Sequence, residues 1–295
     1  MPPTHSLDAL HALRSATFHW NERARLKDAA AIRKFVDARG VCMLFPVQTM
    51  DMPNVYQAVA GFQKDMTAKH GDPAISLTWN TKDNALDKRW WYYGKLLRAK
   101  ATLVALDLLP SFYALSENFG NDEEDYLTEY QAGTLSAEAK NIYEALLKHG
   151  ALHAIELKRK ANLYGDESKS RFDKALNDLQ TGLKVMPVGV AEAGAWRYAF
   201  IYQIVSRWLP DLPAQAEKIT RQQARVSILR RHLANVVYCT PRNAGRIFGW
   251  PVKETAAAIA TLVDAREAES GATIEGVRGE CVVAVHTRTP RAKRR

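Results

Sequence analysis

The chain has 295 residues, 47% hydrophobic and 25% charged, which is enough apolar material for a sizeable core and two or three subdomains. Lys and Arg number 41 against 32 Asp and Glu, and this formal charge of +9 favours a polyanionic partner. No stretch approaches the about 18 apolar residues of a membrane span, and MPPTHSLDALHALR lacks the basic and apolar regions of a signal peptide, so neither is expected.

Cys42, Cys239 and Cys281 stand far apart, with no CxxC and no Cys/His cluster at metal-ligand spacing. They read as small buried apolar residues in a reducing compartment, so a cytoplasmic protein without metal or cofactor is expected.

Residues 1–134 read as a helical region with an aromatic-rich connector. SLDALHALRSATF offers Ser6 as an N-cap with Leu7, Leu10, Leu13 and Ala16 on one face, and LKDAAAIRKFVDARG is a second helix ending at Gly40. VCMLFPV fits a short buried strand, and Pro53 suits the first turn of a helix over DMPNVYQAVAGF. GDP at 71–73 and FGNDEEDY at 119–126 read as loops, the second solvated, around a segment rich in Trp and Tyr.

Residues 135–215 predict three helices and a hairpin. SAEAKNIYEALLKHG runs from Ser136 to Gly150, IELKRKANLYG ends at Gly165, and ESKSRFDKALNDLQTG turns Phe172, Leu176 and Leu179 inward. LKVMPVGV and AWRYAFIY alternate around Ala193-Gly194, with Pro187 suited only to an edge strand of a free-standing hairpin. Three helices followed by a two-stranded wing is the order of a winged helix-turn-helix, whose third helix enters a DNA groove.

Residues 216–287 predict the same order. ITRQQARVSILRRHLANVVY is a long helix, TPRNAGRIFGW is a second with Thr240 as N-cap and Pro241 in its first turn, PVKETAAAIATLVDAREAE is a third, and ATIEGVRGECVVAVH is a hairpin. The fold class is therefore mainly α with small β-hairpins, an α+β chain of tandem winged helix-turn-helix units. The N-terminal block reads as a further, degenerate copy. Residues 288–295 form a basic tail that is either an electrostatic arm or a solubilising segment.

Cations placed for phosphate or base contact are Lys169, Arg171 and Lys174 on the first basic helix, and Arg242, Arg246, Lys253 and wing residue Arg278 in the second copy. The alternative reading of each is a solvated face. The Ala-rich last helix suits packing, so this second copy is expected to touch phosphate or another part of the protein. DKRWWYYGKLLRAK interleaves Lys95 and Arg98 with four aromatics, which suits stacking on unpaired bases or filling a joint between domains.

The chain has no P-loop, nucleophile elbow or HExxH, and His149, His153 and His232 read as cap or surface residues. FPVQTMDMP alone looks chemically placed. Asp51 at the end of a buried strand can stabilise a cation or activate water, but on spacing it is read first as the cap of the helix near Pro53.

WWYYGKLLRAKATLVALDLLPSFYALSENFG, SAEAKNIYEALLKHGALHAIELKRKANL and LKVMPVGVAEAGAWRYAF resemble, in texture and element order, the AlkZ-related winged-helix group. That group is similar to the AlkZ/YcaQ-type bacterial DNA glycosylases, and the likeness spans most of residues 7–285. The resemblance implies tandem winged helices around a DNA channel, double-stranded DNA as partner, a nucleoid-associated monomer, and excision of alkylated or cross-linked bases. It implies Gln48 and Asp51 as catalytic residues. Here the acid stands three residues after the Gln, where the family's Gln-x-Asp motif has two. A non-catalytic DNA-binding or regulatory protein is the alternative.

Overall fold

The computed structural model describes residues 4–66, 71–165 and 167–285. The expected basic tail lies outside them. About half of the chain is helical, and the rest of the regular structure is three small sheets, an α+β fold.

A short strand β1 (Thr4–His5) and helix α1 (Leu7–Thr17) open the chain. Then come α2 (Ala29–Arg39), β2 (Val41–Met43), α3 (Val55–Ala60), α4 (Pro73–Ala85) and the hairpin β3 (Trp91–Leu97) to β4 (Lys100–Ala105). Asp28 starts α2 by accepting from the Ala31 amide at 2.8 Å, and Ile32, Phe35 and Val36 face inward. Gly40 ends α2 at φ 75, where a Cβ would stand 2.6 Å from the Arg231 stem.

Helices α5 (Leu109–Tyr113) and α6 (Asp125–Gln131) lead to α7 (Ala137–His149), β5 (Leu152–His153), α8 (Ala154–Lys160), α9 (Glu167–Thr181), β6 (Val185–Ala191) and β7 (Ala199–Ile204). Short helices α10 (Val205–Trp208) and α11 (Leu212–Glu217) then precede α12 (Arg221–Val236), β8 (Tyr238–Cys239), α13 (Pro241–Phe248), α14 (Val252–Asp264), β9 (Ala268–Ile274) and β10 (Cys281–Ala284).

One order thus recurs three times: helix, strand, helix, helix, strand, strand. In each repeat the last strand takes the centre of the sheet, giving β2-β4-β3, β5-β7-β6 and β9-β10-β8. Pro187 does sit on an edge strand, β6, but the hairpin is not free-standing, because β5 pairs with β7 through Leu152 opposite Tyr202. The opening residues dock far from their sequence neighbours. Strand β1 pairs in parallel with β9, Thr4 opposite Thr273, and α1 packs on α12.

Several local expectations need correction. The hairpin β3–β4 occupies the segment read only as an aromatic connector. Its WYY residues are core: Trp91, Tyr92 and Tyr93 are buried, so they do not form a stacking platform. Gly94 leaves space for the Tyr92 ring, whose hydroxyl donates to the Gln180 carbonyl at 3.0 Å and ties the first repeat to α9. Asp72 and Pro73, read as loop, cap and open α4. Helix α8 ends at Lys160, five residues before Gly165. The acidic loop is anchored, since Asp122 accepts from Ser206 and from Arg207. The three cysteines are free and buried.

The central core draws on every repeat, including Val41, Met43 and Tyr92 of the first, Leu183 and Met186 of the second, and Ile228 and Ile247 of the third. A second junction is built on a charge. Lys82 of α4 is 1% exposed, bonded to Asp83 Oδ1 at 2.6 Å and to the Tyr198 hydroxyl at 3.0 Å, between Trp79, Tyr93 and Phe200. Burial holds its amine below the usual lysine range, and Asp83 partly offsets this.

Removing one partner of such a pair costs about 3 kcal/mol, whereas replacing both by apolar side chains of matching volume is tolerated. Lys82→Ala is therefore expected to lower unfolding free energy by about 3 kcal/mol in denaturant titration, and Lys82→Met combined with Asp83→Leu to recover most of the loss.

Candidate functional site

The segment after β2 leaves the first sheet and returns to it. The Met43 amide donates to the Pro53 carbonyl at 2.9 Å, and the Tyr56 amide to the Leu44 carbonyl at 3.2 Å, which closes the excursion. Within it the Met50 amide donates to the Val47 carbonyl at 2.9 Å, a tight turn with Gln48 and Thr49 at its tip. Met50 and Met52 are buried, so Gln48, Thr49 and Asp51 are left facing solvent.

Asp51 is not a helix cap. Asn54 caps α3 by accepting from the Gln57 amide at 2.9 Å, and Pro53 precedes that cap instead of entering the helix. The bridge between Met43 and Asn54 holds Asn54 extended, at φ -138 and ψ 148, so the helix begins only at Val55. The Asp51 carboxylate is therefore not consumed by local structure.

The turn is held by the far end of the chain. Arg246 of α13 donates Nη2 to the Thr49 carbonyl at 2.8 Å, and Arg98 at the β3–β4 tip donates to the Arg246 carbonyl at 3.0 Å. Arg14 of α1 stands with Nη1 3.8 Å from Asp51 Oδ2. That guanidinium is buried and fixed. It donates to the Val236 and Tyr238 carbonyls at 2.8 and 3.1 Å and lies over the Tyr238 ring at 4.4 Å. Asp51, Arg14, Arg98 and Arg246 thus gather around the turn that carries Gln48, where the first and third repeats meet. Arg242, four residues before Arg246 on α13, is also exposed.

The cations of helix α9 are held in exposed ion pairs. Lys169 pairs with Asp173 at 3.3 Å, Lys174 with Asp178 at 2.8 Å, and Arg171 with Glu138 at 3.4 Å. These exposed pairs add little stability, but each sets a carboxylate beside a cation that the sequence alone suggests for phosphate. Lys95 is half-buried, with its carbonyl accepting from Thr181 at 3.0 Å, and burial lowers its pKa. Lys253 lies in the first turn of α14, and Arg278 in the β9–β10 connection, both exposed.

A family described as AlkZ related matches residues 26–249. The chain belongs to that family. Its fold is similar to that of the Streptomyces sahachiroi DNA glycosylase AlkZ, at 12% identity and TM-score 0.58, over 96% of this chain and 71% of that one. No curated protein sequence matches it. Among the described residues, no helix of this AlkZ-related chain is long and apolar enough to cross a membrane.

His153 caps α8 and His149 is exposed, but His232 is a core residue. It lies beneath the site on α12, edge-on to Phe248 at 5.2 Å, and neither ring nitrogen has a partner among the described residues. Burial, followed by the nearby Arg14 charge, lowers its pKa from 6.5 to about 3.

Between those values the unfolded chain binds a proton that the folded chain does not, so stability rises with pH from about 3 to 6.5 and is lost as pH falls through that window. Acidifying from pH 7 to 5 is expected to cost about 2 kcal/mol in urea titration, and His232→Phe to remove that part of the slope.

Proposed function

We propose that this AlkZ-related chain binds double-stranded DNA through winged helix-turn-helix repeats and hydrolyses the N-glycosidic bond of alkylated or cross-linked bases. The observation that carries the reading is the Gln48–Asp51 turn: an exposed carboxylate with no capping duty, on a turn clamped by Arg246 and faced by Arg14. The recurring helix-helix-hairpin order supports the winged-helix part, and the likeness in fold to a DNA glycosylase supports the chemistry.

In the proposed reaction the bond from C1′ to the base nitrogen breaks, and the base leaves with the electron pair. An N-alkylated base already carries positive charge, so it needs little acid assistance. Charge develops on the sugar as an oxocarbenium ion, as in glycoside hydrolysis. The Asp51 carboxylate faces that charge, Gln48 accepts a hydrogen bond from a water, and the water adds to C1′ and loses its proton to Asp51. Arg14 keeps the carboxylate oriented.

Arg98, Arg242 and Arg246 hold the flanking phosphates, with Lys253 and Arg278 along the third repeat. Lys95, Lys169, Arg171 and Lys174 reach the backbone only by exchanging a burial or carboxylate contact for a phosphate. A cytoplasmic, nucleoid-associated monomer fits this role. The second reading, a DNA-binding relative without catalysis, is favoured by the spacing of Gln48 and Asp51.

Purified protein incubated with duplex DNA carrying N7-methylguanine should yield abasic sites, scored by alkaline cleavage. Asp51→Asn should slow their appearance by about 100-fold or more, within the range of a lost general base, with duplex binding retained. Equal rates for the two proteins would remove Asp51 from the chemistry, and salt-sensitive binding without abasic sites would select the second reading. Arg242→Ala and Lys253→Ala should each reduce the slope of log affinity against log salt by about 1.

A further inference from the structure

A cleft of 370 Å³ opens where all three repeats meet, at the C-terminal end of α13. It falls within the size range of small-ligand sites, roughly 300–1,000 Å³. One wall is aromatic. Phe248 and Trp250 are stacked, with centroids 4.7 Å apart and planes at 24°, and Phe112 leans on Phe248 at 6.4 Å. The lining also carries two carboxylates. Glu117 is held through Oε1 by Arg221 at 2.6 Å, and Glu129 through Oε1 by buried Lys184 at 2.6 Å. Among the described residues, neither Oε2 has a hydrogen-bond partner.

One donor in this lining is unanswered. Arg225 is paired with Glu254 through Nη2, yet its Nε is buried and meets no acceptor among the described residues. A buried donor left without a partner costs about 1–3 kcal/mol, so a ligand bringing an acceptor there recovers that loss. A flat surface for stacking, two carboxylate acceptors and one lone donor match the face and edge of an amino-bearing nucleobase.

The cleft is also joined to the cationic cluster by the chain itself. Leu97 lines the cleft and Arg98 contacts Arg246, while Phe248 follows Arg246 by two residues.

We propose that this cleft receives an unpaired, amino-bearing nucleobase, stacked on Trp250 and hydrogen-bonded to Glu117, Glu129 and Arg225. The source of the base, though not the chemistry of the cleft, rests on the DNA reading above. The pocket is separate from the Gln48–Asp51 turn. Extrusion into it costs least for an unpaired or damaged base.

The test uses the full chain and a single-stranded trinucleotide with 2-aminopurine at its centre, whose fluorescence is quenched on stacking. Saturable quenching is expected, weakened at least tenfold by Trp250→Leu. Glu117→Gln, an exposed position that leaves the core intact, should weaken it several-fold. No saturable quenching by the native protein, or equal quenching in both variants, overturns the proposal. Affinity for a fully paired duplex is measured alongside and should be unchanged in both variants. Quenching that persists in a protein without duplex affinity supports the cleft and removes only the DNA reading.

Discussion

The structure depends on sharing one core among three repeats. Each repeat buries one face in a core of its own, around Phe35 and Tyr56 in the first, Ile142 and Leu179 in the second, and Leu229 and Leu262 in the third. The core around Val41, Tyr92, Met186 and Ile228 joins them by drawing apolar side chains from every repeat into one volume. Tyr92 reaching Gln180 and Lys82 reaching Tyr198 fix the second repeat against the first. Repeats with identical element order therefore behave as one packed body, and their junctions are the places where residues from distant sequence can meet.

Both proposed sites lie at such junctions. The Gln48–Asp51 turn is held by Arg246, 197 residues from Thr49, while Arg14 is anchored on the carbonyls of the third repeat. Preorganisation of this kind matters for a carboxylate meant to face developing charge, because a group already oriented need not reorganise during reaction. The cleft at the end of α13 has the same origin. Its walls come from the β3–β4 tip, the end of α9 and the start of α14, so no single repeat contains it.

Legibility in the sequence followed how local each signal is. Helix α13 was readable from Thr240-Pro241 to Gly249 because cap, first-turn proline and left-handed glycine all lie within ten residues. The β3–β4 hairpin was missed because Arg98 and Ala99 take φ 50 and 56, where two-residue turns favour Asn or Gly. Asp51 reads as a cap because the bridge that keeps Asn54 extended pairs it with Met43, a partner that chain order does not reveal. Two further features do have a local signature. Lys169 with Asp173, and Lys174 with Asp178, stand at the spacing of helical ion pairs, and His232 continues the inward face of Leu229, Leu233 and Val236. The roles of Arg14 and Arg246 had no local signature at all.

The distribution of charge decides how DNA affinity could arise. More than half of the +9 surplus stands after residue 286, where five cations and no acid occur. The folded body is therefore only modestly basic, and several of its cations are engaged internally, including Arg207 with Asp122, Arg221 with Glu117 and Arg231 with Asp107. A uniformly positive surface is thus not what would bring a duplex to this protein. Affinity would instead depend on the few guanidinium groups gathered beside the Gln48–Asp51 turn, with the tail adding long-range attraction that salt screens within about 10 Å at 0.1 M. Arg98 and Arg246 clamp the turn, and as the proposed cations for phosphate they would serve twice, so that binding and placement of Asp51 would be coupled through the same two side chains.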